Sequence, residues 1–348
     1  MKLKTLDQKL ARIARGTDTR KDFIIADAKD ADMAFGVMAP GPNRAGHCPH
    51  GYNQAEGCYK TLAQYHEQIR GVLKQQLVDI VLLSASNLER LGVEEGLFKN
   101  SSITPAARAN DTTDVWAVRG GTYAEHPSRH FRTATLDHIK YGKTETNFNK
   151  PYTGADLGLY SITFTNNLDQ DYAALEAFQS FRLEAEAKKF RYFLEVFNPN
   201  VDPGFDPAKV GGFLNDHIIR CLAGVTKVGR PIFLKIPFNG PGPLEELVAY
   251  DSNLVVGILG GSSGTTLDAF QLIHDAQKYG AKVALFGRKI NLSEHPLAFI
   301  EFMRRITDGE IEPREAVKAY HDSLVQAKIQ PIRSLQDDLV LTENKLSY

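Results

Sequence analysis

Short apolar runs alternate with longer amphipathic stretches along most of the chain. DFIIADAKDADM (22–33) reads as a strand that ends in charges, and TLAQYHEQIRGVLKQQL (61–77) as the helix after it. VDIVLLSA (78–85) is a second strand. The middle is less regular, and DVWAVRGG (114–121) competes with FRTATLDHIKYG (131–142) for the next strand. Regularity returns with strands at 159–167, 191–199, 231–238, 254–261 and 282–290. Between them, apolar residues recur every three or four positions at 171–190, 211–225 and 265–280, the period of a helix buried on one face. Two further helices, HPLAFIEFMRRITDG and EPREAVKAYHDSLVQA, follow the last strand.

Strands that alternate with helices form parallel sheets, since each helix carries the chain back to the start of the next strand. Seven to eight such strands suit a closed (β/α)8 barrel, the TIM-barrel architecture, better than an open sheet. The expected organisation is a single barrel domain over 1–348 with a long insertion at about 92–155 and C-terminal helices. With 43% hydrophobic residues the core is sizeable, and a net charge of −1 argues against a nucleic-acid partner. No apolar run reaches the roughly 18 residues that a membrane span needs. Residues 1–16 lack the apolar segment of a secretory signal and are expected to belong to the fold. Three cysteines make no disulfide framework, which fits a reducing, cytoplasmic setting. His47, Cys48, His50 and Cys58 could all bind zinc, but their spacing matches no familiar zinc template, so no metal and no other cofactor is expected.

In such barrels the chemistry lies at the C-terminal ends of the strands. Asp27 stands on the first strand, Glu195 on the fifth and Lys235 within the apolar run PIFLKIPF of the sixth. A lysine desolvated beside other charges can lose its proton and attack a carbonyl, giving a Schiff base. Its plainer role is an ion pair with Glu195 or Asp27, and each acid is by the same token either a proton carrier or a structural partner. The seventh strand ends in GGSSGTT and the eighth in Phe286-Gly287-Arg288. Glycines that turn the backbone, a helix opening at Thr265 or Thr266 and an arginine on the neighbouring strand make an anion site, the usual phosphate position of these barrels.

The run from Lys235 to Arg288 resembles the class I aldolases of the DeoC/LacD superfamily, in particular the archaeal-type fructose-bisphosphate and tagatose-bisphosphate aldolases. FLKIPFNG is similar to the motif that supplies their Schiff-base lysine, and LGGSSGTT and LFGRKI to the segments that bind substrate phosphate. IIADAKDADM and RLEAEAKKFRYFLEVF are similar to those carrying a strand-one aspartate and a strand-five glutamate. The resemblance implies Lys235, Asp27 and Glu195 as catalytic residues, and Gly260, Gly261, Ser262, Ser263, Gly287 and Arg288 as the phosphate site. It implies cleavage of a phosphorylated ketose, a small-molecule sugar phosphate. Two positions depart from the family: Phe164 stands where the archaeal tyrosine would be, and Ser161 roughly where the tagatose type has a strand-four lysine. Tyr160, Tyr141 or Glu195 is then the substitute proton carrier, or the substrate differs. A lysine-dependent acyl or ketol transferase and a non-catalytic sugar-phosphate-binding barrel are the alternatives. Barrels of this kind often form homo-oligomers, and LAFIEFMRR (297–305) suits such a contact as well as an ordinary outer helix.

Overall fold

Alternate residues of the strands fall into two separate apolar shells, one inside the barrel and one between barrel and helices. The computed structural model describes residues 3–43, 58–145, 147, 150–261 and 264–346. Eight strands lie in it: β1 Ile24–Lys29, β2 Ile80–Leu83, β3 Thr104–Arg108, β4 Leu157–Thr163, β5 Arg191–Phe197, β6 Leu234–Ile236, β7 Val256–Leu259 and β8 Val283–Phe286. They pair in parallel, each with its chain neighbours, and β8 closes on β1. The fold is a (β/α)8 barrel.

Ile24, Ala26, Leu82, Leu159, Phe193 and Phe233 belong to the inner shell. Ile25, Val81, Ile162, Leu194 and Val196 belong to the outer one. This is the period-two alternation of a strand with both faces buried. Leu6, fully buried, joins the inner shell from helix α1 (Thr5–Ala14), so residues near the N-terminus close the barrel floor.

The outer helices begin where side chains can satisfy their free N–H groups. Helix α2 (Leu62–Gln75) opens on a Thr61–Gln64 capping box and α3 (Leu168–Ala187) on Asn167. Helices α4 (Val210–Ala223), α5 (Pro241–Tyr250), α6 (Thr266–Lys278), α7 (Arg288–Leu292), α8 (Pro296–Thr307) and α9 (Pro313–Gln326) complete the ring. The apolar face of α8 is occupied within the chain: Phe299 and Phe302 pack on Phe270 of α6 and Tyr320 of α9. No helix among the described residues is long and apolar enough to cross a membrane.

The third strand is where the sequence misleads. Neither 114–121 nor 131–142 enters the barrel; β3 is Thr104–Arg108, inside the stretch read as insertion. Its Thr-Pro-Ala-Ala-Arg sequence is too weakly apolar to stand out, and the larger side chains downstream attract the strand assignment. The extra material lies between β3 and β4. It carries a small antiparallel ribbon (Asp111–Thr112 with His130–Phe131) and a short helix, Leu136–Tyr141. It is tied across the barrel mouth: Ala117 N donates to Ala34 O, and Asn200 Nδ2 donates to the carbonyls of Ala124 and His126.

Candidate active site

The inner-facing positions just above the apolar layers are polar. Ser161, Glu195 and Lys235 sit side by side in register on β4, β5 and β6. Lys235 Nζ meets Glu195 Oε1, and the two side chains are 9% and 1% exposed. The other carboxylate oxygen of Glu195 accepts from Ser161 Oγ at 2.7 Å and lies 3.7 Å from Arg108 Nη2. A buried carboxylate with a cation and a hydroxyl on opposite oxygens has a fixed orientation.

Arg108, from the unrecognised β3, is the hub of this layer. Its Nε donates to Asp30 Oδ2, and its Nη1 lies 3.3 Å from Ser161 Oγ and 3.2 Å from Asp111 Oδ1. Burial works against its charge, but Asp30, Asp111 and Glu195 together raise its pKa above the ordinary value. Asp111 is pushed up to about 7, first by burial and then by Asp30, Glu195 and Asp32, with Arg108 opposing. Asp32 is also raised, chiefly by burial, while Ser84 Oγ donates to it at 2.6 Å and moderates the shift.

Asp27 does not join this group. It shares the parity of Ile25 and faces the helices. Its Oδ1 lies 3.0 Å from Lys29 Nζ, and that amine also contacts Asn291 Oδ1 of α7. Burial pushes the Asp27 carboxyl up, with Lys29 opposing. The carboxylate that lines the cavity here is Asp30, just past the end of β1. Both faces of β1 are apolar, so nothing in the sequence says which parity points inward.

The tyrosine candidates also lie elsewhere. Tyr160 faces outward between Phe178 and Phe181, at 5.3 and 4.3 Å between ring centres, and burial raises its phenol pKa. Tyr141 OH reaches Lys150 O at 3.5 Å. Phe164 stacks on His217. No tyrosine among the described residues lines the cavity.

That cavity, of about 370 Å³, runs from Glu195 and Lys235 to the ends of β7 and β8, where Gly260, Gly261, Gly287 and Arg288 form its wall. Ser262 and Ser263 lie outside the described residues, as do His47, Cys48 and His50. A Cβ on Gly260 would sit 2.7 Å from the Phe286 ring, and one on Gly287 would sit 2.9 Å from Ala28 Cβ, so both positions need glycine. Arg288 Nη2 reaches Gly261 O at 3.5 Å.

The start of α6 is not the free anion site the sequence suggests. Thr265 N donates to Asp268 Oδ2 and Thr266 N to Asp338 Oδ1, each at 2.7 Å, so two carboxylates already occupy those donors. Lys289, which the sequence reading passed over beside Arg288, compensates. It lines the cavity and contacts Gly264 O, and burial draws its pKa down to about 8, with Arg333 adding and Asp338 opposing. Among the described residues no three or more His, Cys, Asp or Glu side chains are grouped to hold a metal.

No protein-family model and no curated protein matches the chain. Its fold is similar to that of solved fructose-bisphosphate aldolases. An archaeal fructose 1,6-bisphosphate aldolase superposes with a TM-score of 0.58 at 14% identity, covering 87% of this chain and 99% of the other. An archaeal fructose-1,6-bisphosphate aldolase with its catalytic lysine bound to the carbinolamine intermediate gives 0.58 at 15%, covering 87% and 100%. The fructose-bisphosphate aldolase from Slackia heliotrinireducens DSM 20476 gives 0.62 at 12%, covering 92% and 90%. At such identities the likeness is one of fold.

Proposed function

We propose that the protein is a Schiff-base-forming aldolase that cleaves a phosphorylated ketose, with Lys235 as the nucleophile. The observation that carries this reading is the placement of Lys235 Nζ against Glu195, in a cavity whose far wall is Gly260, Gly261, Gly287, Arg288 and Lys289. A phosphate held at that wall leaves the adjacent carbonyl carbon facing the amine, and such fixed alignment supplies much of the rate.

Lys235 passes a proton to Glu195 and attacks C2. Glu195 returns that proton to the carbinolamine hydroxyl, which leaves as water to give a protonated imine and a free carboxylate. Glu195 then takes the C4 hydroxyl proton as the C3–C4 bond breaks, and the bonding electrons pass into the imine as an enamine. The aldehyde leaves; protonation at C3 and hydrolysis release the ketose phosphate and the free lysine. Ser161 and Arg108 hold Glu195 in place through these transfers. Asp30, paired with Arg108, takes the catalytic place that the resemblance implied for Asp27.

The test is borohydride trapping with dihydroxyacetone phosphate, followed by peptide mass spectrometry. A reduced adduct on the peptide holding Lys235, absent from Lys235→Met, is expected. Turnover is expected to persist in a strong chelator. If no keto-phosphate of a broad panel is trapped, the lysine is a buried ion-pair partner and the aldolase reading fails.

A further inference from the structure

The cavity is polarised. Arg288 and Lys289 stand at its β8 end. Across the ring, near the end of β4, stands Asp114, carried by the segment inserted between β3 and β4. In a closed ring of eight strands, β4 and β8 are diametrically opposed.

Asp114 differs from the other carboxylates that line the cavity. Asp30 and Glu195 are each paired with a buried cation. Asp114 makes no ion pair among the described residues. Its Oδ1 accepts from Ser128 Oγ at 2.6 Å, and both its oxygens accept from Thr163 Oγ1 at 3.1 Å. Hydroxyl donors fix the carboxylate without neutralising it. The segment beneath is fixed as well, by Thr113 N to Arg129 O at 2.9 Å and Ala117 N to Ala34 O at 2.9 Å.

On the aldolase reading above, the orientation of the substrate follows. The C1 phosphate lies with Arg288 and Lys289, C2 faces Lys235, and C4 faces Glu195. The chain beyond C4 therefore runs towards Asp114. A hydroxyl there donates to a carboxylate, a charge-assisted bond. A phosphate there meets a like charge in a partly enclosed site, which costs about tenfold or more in affinity.

We propose that Asp114 selects the end of the substrate remote from the phosphate wall, admitting a free hydroxyl group and turning away a second phosphate. The substrate is then a ketose monophosphate. This rests on the aldolase reading and narrows it to a substrate class.

The experiment compares borohydride trapping of the wild-type protein by dihydroxyacetone phosphate, by fructose and tagatose 1-phosphates, and by the matching 1,6-bisphosphates. The adduct on Lys235 is quantified by mass spectrometry. At least one 1-phosphate is expected to be trapped about tenfold faster than its bisphosphate. Asp114→Asn is expected to shrink that ratio several-fold, chiefly by raising the bisphosphate rate. A bisphosphate trapped as fast as its 1-phosphate, no 1-phosphate trapped at all, or an unchanged ratio in a folded Asp114→Asn protein each overturns the inference. If the variant does not fold, the wild-type ratio alone decides. These outcomes apply where at least one keto-phosphate is trapped. Where none is, dihydroxyacetone phosphate included, the aldolase reading falls and this inference falls with it.

Discussion

Asp27, on β1, and Asp30, one residue past its end, stand three positions apart and meet different fates. Asp27 balances a lysine that is fully buried, and removing one partner of such a pair leaves an uncompensated charge. Asp27→Asn is expected to cost about 3 kcal/mol in urea unfolding with little change in kcat. Asp30→Asn is expected to lower kcat about 10²-fold with a smaller loss of stability. The opposite outcome for the pair would return Asp27 to the chemistry. The strand was legible in the sequence but its parity was not, because residues 24 to 28 read as apolar on both sides around Asp27. Lys235 and Glu195 were legible because a charge inside an apolar run draws the eye. Lys289 was hidden by the more conspicuous Gly-Arg before it.

Lys289 also sets a pH dependence. Its pKa in the folded protein, about 8, lies below the ordinary lysine value, so it carries charge below that pH and loses it as the pH rises through it. The second phosphate ionisation is complete well before then. Binding of dihydroxyacetone phosphate, measured by calorimetry, is expected to weaken several-fold between about pH 7 and pH 9. Lys289→Met should bind more weakly at the lower pH and lose most of that slope.

Among the elements, the C-terminal segment does what the sequence did not announce. Asp268 on α6 accepts from Thr342 N, Thr342 Oγ1 and Glu343 N, besides capping Thr265. Asp338 accepts from Thr266 N and lies 3.0 Å from His321 Nε2. Together they pin residues beyond α9 over the end of β7. Asp268→Ala is expected to cost about 1–2 kcal/mol, as lost caps do, and to make the bond after Lys345 or Arg333 cut faster in limited trypsin digestion. Unchanged digestion would mean the segment is held elsewhere. Such contacts join residues some seventy positions apart and leave no periodic trace. β3 was missed for a related reason, since a strand of small residues signals itself only through its neighbours.

For the whole molecule, the strand–helix alternation made the barrel legible, as the closed ring of eight strands bears out. The plug at its floor was less so. Leu6 fills the N-terminal opening with no exposed surface. Leu6→Ala should cost about 2–5 kcal/mol, read from the midpoint of chemical unfolding, and leave the borohydride adduct on Lys235 intact.

Arg108 reaches past Ser161 of β4 to touch the glutamate of β5. Side chains from every strand of a closed ring converge on one axis, so the centre is a common room and not eight private ones. A long residue on one strand and a shorter one next door can deliver the same charge to the same spot. During descent, that charge is free to change its covalent owner without changing its address. Barrels can then diverge position by position, until alignment finds little in common, while the field at their centre stays almost where it was.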